Sequence, residues 1–289
     1  MQEQTLLSKV RRIEIKTKGL SRHLFSGAYH SVFKGRGMSF SEVREYSYGD
    51  DVRNIDWNVT ARSDQAYVKV YEEERELSLM LIIDISKSTF FGSTEQNKAE
   101  WIAEIASVLA FSASQNQDKV GLLLFSHKVH LYIPPKKGRQ NILRIIREVL
   151  IERKDIGTTN LQHALEYLRG ILKKRSICFV LSDFHATIPE QQIKQIARRH
   201  DLVSMQILDP LESFIPNVGI IPVMDSESGK FSLLDTSDSD AFLELNENMK
   251  KHIQNVKSIF LRAHAEHIYL DIRNSYIKML LNFFKNRKR

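Results

Sequence analysis

Apolar runs of strand length alternate with longer segments of helical periodicity from about residue 77 onward. Residues 77–84 form an almost unbroken apolar run, which is typical of a strand covered on both faces. Residues 99–114 place apolar side chains three and four positions apart, the spacing of an amphipathic helix. This alternation predicts an α/β fold, a doubly wound and mainly parallel sheet with helices on both faces. Further strands are predicted at 119–125, 128–133, 176–183, 202–208 and 267–272, a two-stranded excursion within 219–234, and further helices at 140–151, 161–174, 189–200, 241–264 and from 275.

The first 76 residues have a different character. A short helix is expected near 6–17, and residues 35–76 are rich in Gly, Asp, Arg and aromatic side chains, with short extended pieces such as 66–71. We therefore predict an N-terminal β-rich extension over residues 1–76 and one large α/β domain over residues 77–289.

Composition excludes several classes of protein. The chain has 289 residues, of which 42% are hydrophobic, a proportion that is ordinary for a globular protein with a substantial core. It carries 42 Lys and Arg against 35 Asp and Glu, so the net charge of +7 is a mild excess. A nucleic-acid-binding module would require clustered positive charge, and we do not expect one.

Membrane and redox signals are also weak. No apolar run approaches the roughly 18 to 20 residues of a membrane span, and the first residues lack the pattern of a secretory signal. The single cysteine, Cys178, lies in an apolar run and cannot form an internal disulfide, which agrees with a reducing compartment. We expect no membrane span and a cytoplasmic location.

Oxygen-bearing side chains follow two of the predicted buried strands. The first is followed by Asp84-x-Ser86-x-Ser88, and a later one ends in Ser182-Asp183. In an open α/β sheet such residues meet at the carboxyl edge of the strands, where ligands bind. Between them, Thr158 and Thr159 precede a predicted helix and each offers a hydroxyl to the same edge. Carboxylates and hydroxyls are hard ligands that suit Mg²⁺ or Mn²⁺ rather than zinc, so we expect a metal site.

These residues resemble the metal-ion-dependent adhesion site of von Willebrand factor A domains, a family with a Rossmann-like fold. The resemblance implies one divalent cation per chain, Mg²⁺ or else Mn²⁺ or Ca²⁺, and a coordination position open to an Asp or Glu of a partner. It also implies that the hydroxyls bind directly, that the two aspartates act through water, and that Thr159 is the ligand. The residues carrying this resemblance are Asp84, Ser86, Ser88, Thr159 and Asp183. One departure is that Thr89 follows Ser88 where such loops often have a methionine.

A second set of residues, upstream, resembles the signature of domain-of-unknown-function family 58, whose members join such a segment to a von Willebrand A-like domain. The matching residues are Gly35-Arg-Gly37, Phe40, Arg44-Glu-Tyr46, Gly49-Asp-Asp51, Arg53, Ile55-Asp-Trp57 and Ala61-Arg62. Members are commonly encoded beside MoxR-type AAA+ ATPases, which implies such an ATPase as partner. Without membrane helices ahead of the signature, the chain is similar to the short soluble form.

The signature mixes basic and acidic side chains, and two interpretations stay open. They form a structural network of ion pairs that seats the extension, or they form a docking surface for the ATPase. The residues concerned are Arg44, Asp50, Asp51, Arg53, Asp56 and Arg62.

Together these features predict a non-enzymatic, metal-dependent protein-interaction module. We expect it to act as an adaptor or substrate-recognition partner of a MoxR-type ATPase in protein assembly or maturation, with a client that presents an acidic side chain. The alternative is a Mg²⁺-dependent phosphoester hydrolase that uses the strand-end aspartates. It is disfavoured because no second carboxylate joins Asp84 in its own loop and no general acid or base is evident.

Overall fold

The computed structural model describes residues 2–20, 38–63, 65–73, 77–94, 96–151, 153, 156–224, 230–237 and 239–287. The described residues fall into two compact units, one within Met1–Val32 and Ser78–Arg289 and the other within Phe33–Leu77. The described strands are β1 (Met38–Glu45), β2 (Tyr67–Glu73), β3 (Ser78–Asp84), β4 (Lys119–Phe125), β5 (Val129–Lys136), β6 (Ile177–Ser182), β7 (Asp201–Leu208), β8 (Ile220–Met224), β9 (Phe231–Asp235) and β10 (Glu266–Asp271). The described helices are α1 (Gln2–Leu20), α2 (Trp57–Thr60), α3 (Lys98–Gln115), α4 (Arg139–Leu150), α5 (Leu161–Ile171), α6 (Glu190–Arg199), α7 (Pro210–Ser213), α8 (Ser239–Arg262) and α9 (Tyr276–Asn286).

The larger unit is built on a central sheet whose described strands lie in the order β10-β7-β6-β3-β4-β5. Its neighbours are parallel except β4 and β5, which are antiparallel. β5 extends to Lys136, past its predicted end at residue 133, because an edge strand tolerates the two prolines 134 and 135. The predicted doubly wound, mainly parallel α/β sheet is confirmed.

Helices cover both faces of this sheet. Side chains of α5, α6 and α8 share one buried cluster with residues of β3, β4, β6 and β7. That cluster contains Cys178, whose burial raises the pKa of the thiol, as expected for a packing role. On the other face α3 lies along the sheet and meets α9 through the edge-to-face rings of Trp101 and Tyr276, 5.3 Å apart.

Helix α3 differs from the prediction, which made it amphipathic. Its side chains from residue 101 to residue 113 are all buried, on every side of the helix. The reason is α1, which packs against α3 and α4 through Val10, Ile13 and Thr17. Lys16 adds an ion pair of 2.6 Å with Glu104 of α3. A helix covered by the sheet and by α1 has no solvent face, so it is apolar nearly all round.

The N-terminal region is therefore divided differently from the expectation that all of residues 1–76 form the extension. Helix α1 packs on the larger unit, and the smaller unit holds the β-rich part. There β1 and β2 pair antiparallel with a bulge between Phe40 and Glu42. The side chain of Asp51 caps a 3-10 turn, Val52–Asn54, and that of Asp56 caps α2.

Candidate metal centre

The predicted site residues lie at the carboxyl edge of the central sheet. Asp84 ends β3, and Asp183 directly follows the neighbouring strand β6. Both side chains are only 1% exposed. Thr159 lies two residues before α5, whose first turn is capped by Asn160. Parallel neighbours end at the same edge, which is why residues about a hundred positions apart meet here.

Asp84 is the centre of a hydrogen-bond network. Its Oδ1 accepts the backbone N–H of Ser86 at 2.8 Å, while its Oδ2 accepts the hydroxyls of Ser182 at 2.7 Å and Thr159 at 3.2 Å. The hydroxyls of Ser86 and Ser88 lie 3.1 Å apart. Burial, with the nearby charge of Asp183, raises the pKa of Asp84 to about 6.

The two threonines left open by the sequence are placed differently. Thr159 contacts Asp84, whereas the neighbouring Thr158 is exposed. The loop that carries them is held by His127, whose Nδ1 accepts the backbone N–H of Gly157 at 3.1 Å. A Cβ at position 157 would lie 2.6 Å from that same nitrogen, so glycine permits this close approach.

Lys98 is a site residue that sequence reasoning missed. It is fully buried, and its Nζ donates to Asp183 Oδ2 at 2.8 Å and to Glu212 Oε1 at 2.5 Å. Burial alone would lower its pKa, but the two carboxylates raise it, so Lys98 is charged. One signal was available in the sequence: Lys98 opens α3, and a cation in the first turn of a helix opposes the helix dipole.

Glu212 is held in place by a capping box at the start of α7. Its Oε2 accepts the backbone N–H of Asp209 at 2.8 Å, and its Oε1 accepts from Lys98. Asp209 in turn accepts the backbone N–H and the hydroxyl of Ser93, each at 2.6 Å. The loops that follow β3 and β7 are therefore joined through buried carboxylates. Sequence reasoning missed both of these residues.

Asp183 is engaged from several sides. Burial alone would raise its pKa, but the Lys98 ammonium holds it below the ordinary value, with help from a hydrogen bond from Ser88. The next residue, Phe184, has a left-handed backbone with φ of 58°, a conformation that costs energy for a bulky side chain. Its carbonyl oxygen lies 2.9 Å from His252 Nε2. His185 stacks on His252 and lies 3.3 Å from Glu212.

Donor chemistry and charge both suit a hard divalent cation. The side chains predicted to hold the ion offer two carboxylates and three hydroxyls, so every donor atom is an oxygen. Asp183 and Glu212 contact the ammonium of Lys98, and Asp84 interacts with the charge of Asp183, so these three carboxylates, when ionised, leave two negative charges beyond that of Lys98. One Mg²⁺ would balance that sum. The residues present therefore fit the expected ion.

The charged residues of the signature make local contacts. Arg44 binds Asp50 through two hydrogen bonds of 2.7 Å, and Arg53 binds Asp51, lowering its pKa to about 2. Asp56 lies 3.5 Å from Lys69. Arg62 is exposed, as are the apolar side chains of Tyr48, Val52 and Trp57. Gly35 and Gly37 lie outside the described residues. Both interpretations of the segment, local structure and docking, stay open.

The chain is similar to an uncharacterized protein and to several solved structures. The chain is 29% identical over 227 residues to the uncharacterized protein Rv1480 of Mycobacterium tuberculosis, covering 78% of this chain and 72% of that one. Among solved structures it resembles an aerotolerance-related membrane protein from Bacteroides fragilis, with 16% identity, 73% and 99% coverage and a TM-score of 0.47. It also resembles the von Willebrand A domain of SpRpn10, with 10% identity, 72% and 95% coverage and a TM-score of 0.41.

The expected cytoplasmic location is wrong on these comparisons, because the Bacteroides neighbour is described as a membrane protein. Within the described segments, no helix is both long and apolar enough to cross a bilayer.

The family assignment agrees with the upstream signature. A family model described as "Protein of unknown function DUF58" matches residues 42–255, which span the signature from Arg44 to Arg62 and the metal-centre residues. With this match over most of its length, the chain belongs to the DUF58 family.

Proposed function

We propose that this protein is a metal-ion-dependent protein-interaction module, in which one Mg²⁺ at the carboxyl edge of the sheet binds an acidic side chain of a partner. Mn²⁺ or Ca²⁺ would serve the same donors. The observation that carries the proposal is the buried, all-oxygen constellation around Asp84 with its two excess negative charges. The residues that would hold the ion are Asp84, Ser86, Ser88, Thr159 and Asp183.

The hydrogen bonds explain how the chain prepares the site. Thr159 and Ser182 each donate a proton to Asp84, so their oxygen lone pairs are turned away from that carboxylate. The hydroxyl oxygen of Thr159 can then act as a neutral ligand. Neutral hydroxyl ligands leave a cation more of its charge than carboxylates would, and that charge is what attracts a carboxylate of a partner.

The partners we propose are a MoxR-type AAA+ ATPase and a client protein that presents an acidic side chain, and we expect the ATPase to dock on this same metal centre. This part rests on the resemblance of the upstream signature to family 58, which implies such an ATPase as partner. It assigns the module to an adaptor or substrate-recognition role, without catalysis of its own.

The test is binding of the purified MoxR-type ATPase from the same organism to the immobilised protein. EDTA is a poor control, since the ATPase itself needs Mg²⁺ for its nucleotide. We therefore compare the double variant Ser86→Ala/Ser88→Ala with Ser107→Ala/Ser112→Ala. The second pair is also buried, but its hydroxyls donate to backbone carbonyls within α3. We expect loss of binding only in the first. Equal binding by both variants would overturn the proposal.

One observation favours the hydrolase alternative. His185, half-exposed beside Asp183 and Glu212, is a titratable group that could exchange protons with a substrate. A panel of phosphate esters with Mg²⁺ separates the two functions. We expect no turnover above the background of Asp84→Asn, whereas turnover that needs both Asp84 and His185 would replace our proposal.

A further inference from the structure

Lys98 is unusual among the basic residues of the chain. In the described part of the protein it is the one lysine or arginine that is buried, and both carboxylates it contacts belong to other elements of the fold. Taking an ammonium out of water is costly, and an ion pair inside a protein seldom stabilises it more than apolar residues of equal size would. Lys98 therefore calls for a role besides holding the fold together.

The sum of charges indicates what that role is. With Lys98 present, the ionised Asp84, Asp183 and Glu212 leave two negative charges, so a bound divalent cation brings the sum for these four side chains to zero. Without Lys98 the same centre would carry one negative charge when loaded. A partner carboxylate approaches a neutral centre without repulsion, but it is repelled by a negative one.

We propose that Lys98 is a positioning and specificity residue that sets the charge of the metal centre. Its charge lowers the affinity of the centre for the cation and raises the affinity of the loaded centre for an acidic partner. This inference rests on the proposed function. Lys98 acts through Asp183, to whose Oδ2 it donates, and Glu212 holds the ammonium in place through a second hydrogen bond. Removing the charge of Lys98 should therefore raise the affinity for the cation and lower the affinity for a carboxylate.

The opposite signs make the test sharp. Mn²⁺ binding to the full-length protein is measured by the electron paramagnetic resonance signal of the free ion, and acetate is then titrated as the carboxylate probe. In Lys98→Met we expect Mn²⁺ to bind about tenfold more tightly and acetate about tenfold more weakly than in the natural protein. A residue with a purely structural role would weaken both.

Two further variants complete the design. Lys16→Met removes a lysine from the ion pair with Glu104 of α3, which contacts neither Asp84 nor Asp183 in the described bonds, and should leave both affinities unchanged. Glu212→Gln removes one negative charge from the centre, so Mn²⁺ should bind more weakly and acetate more tightly. If Lys98→Met fails to fold, as judged by circular dichroism, Glu212→Gln decides the matter alone.

The outcomes distinguish failure of the proposed metal-dependent function from failure of the role given to Lys98. If the natural protein binds no Mn²⁺ that depends on Asp84, the proposed function is overturned and this inference with it. If it binds Mn²⁺ but Lys98→Met leaves the affinity unchanged or reduces it, only the role of Lys98 is overturned. An unchanged or tighter Mn²⁺ affinity in Glu212→Gln likewise overturns the role of Lys98.

Discussion

Ser182 and Asp84, which are 98 positions apart in the chain, are joined by a buried hydrogen bond of 2.7 Å from the serine hydroxyl to Oδ2. The same serine oxygen accepts the backbone N–H of Phe184 at 3.0 Å. This one side chain therefore fixes the carboxylate at the end of β3 and the turn that follows Asp183. It connects the two strand ends on which the metal centre is built.

Replacing Ser182 by alanine should destabilise the protein by about 1 to 3 kcal/mol, because a buried carboxylate oxygen and a buried N–H both lose a partner. Urea denaturation in EDTA measures this without a contribution from bound metal. Ser176→Ala is the matched control, since that serine lies just before the same strand and its hydroxyl reaches only the carbonyl of Lys174. Equal losses in the two variants would contradict the role given to Ser182.

The close approach of Gly157 to His127 predicts a coupled pair. Gly157→Ala should destabilise the loop that carries Thr159, because the added Cβ would meet the imidazole at 2.6 to 3.1 Å. In a His127→Ala background most of that clash is absent, so the same substitution should cost less. A double-mutant cycle on unfolding free energy should give a coupling of roughly 0.5 to 3 kcal/mol. Additive effects would show that the loop does not depend on this contact.

The packing of α1 on α3 and α4 can be tested with two isoleucines two positions apart. Ile13 is 5% exposed and Ile15 is 70% exposed. Ile13→Ala should cost about 2 to 4 kcal/mol of stability, whereas Ile15→Ala should cost less than about 0.5 kcal/mol. Thermal or chemical denaturation of both variants measures the difference. Similar small effects would mean that α1 is not part of the cooperative core.

His267 predicts a dependence of stability on acid. Burial, with the charge of Lys257, lowers its pKa to about 4, and the ring stacks on Phe260. Between pH 6.5 and pH 4 the unfolded chain binds this proton and the folded protein does not, so the contribution of His267 falls as the pH falls through that window.

The variant His267→Phe keeps a ring at this position and removes the proton. Both proteins should lose stability as the pH falls from 6.5 to 4. We expect the decrease in unfolding free energy to be about 2 kcal/mol smaller in the variant than in the natural protein. Ser204 keeps its hydrogen bond to the carbonyl of Glu266 in the variant. His163→Gln, at an exposed position in α5, should follow the natural protein. Parallel curves for all three would rule out a buried neutral His267.

The sequence predicts those site residues that directly follow a buried strand. The apolar runs predict β3 and β6, and the residues that end those runs place Asp84 and Asp183 at one edge of the sheet. Sequence reasoning failed for Lys98 and Glu212, because their meeting depends on where a helix begins and on a one-turn helix after a different strand. No local pattern encodes that meeting. The complete burial of α3 was missed for the same reason, since α1 covers it from a distant part of the chain.

The division of the N-terminal region shows a related limit. The β-rich character of the segment that holds β1 and β2 was visible in its composition, but composition does not say against which surface a helix packs. Val10 and Ile13 of α1 were read as part of the extension, and it is the apolar outer face of α3 that places them with the larger unit.

The central claim, that this edge of the sheet binds one divalent cation through Thr159 and its neighbours, is tested most directly by calorimetric titration with Mg²⁺. Thr159→Val and Thr158→Val make the same chemical change at adjacent positions, one in contact with Asp84 and the other exposed. We predict one ion per chain in the natural protein and in Thr158→Val, with affinity at least roughly tenfold weaker in Thr159→Val. Absence of Mg²⁺ binding in the natural protein, or equal affinity in the two variants, would contradict the account.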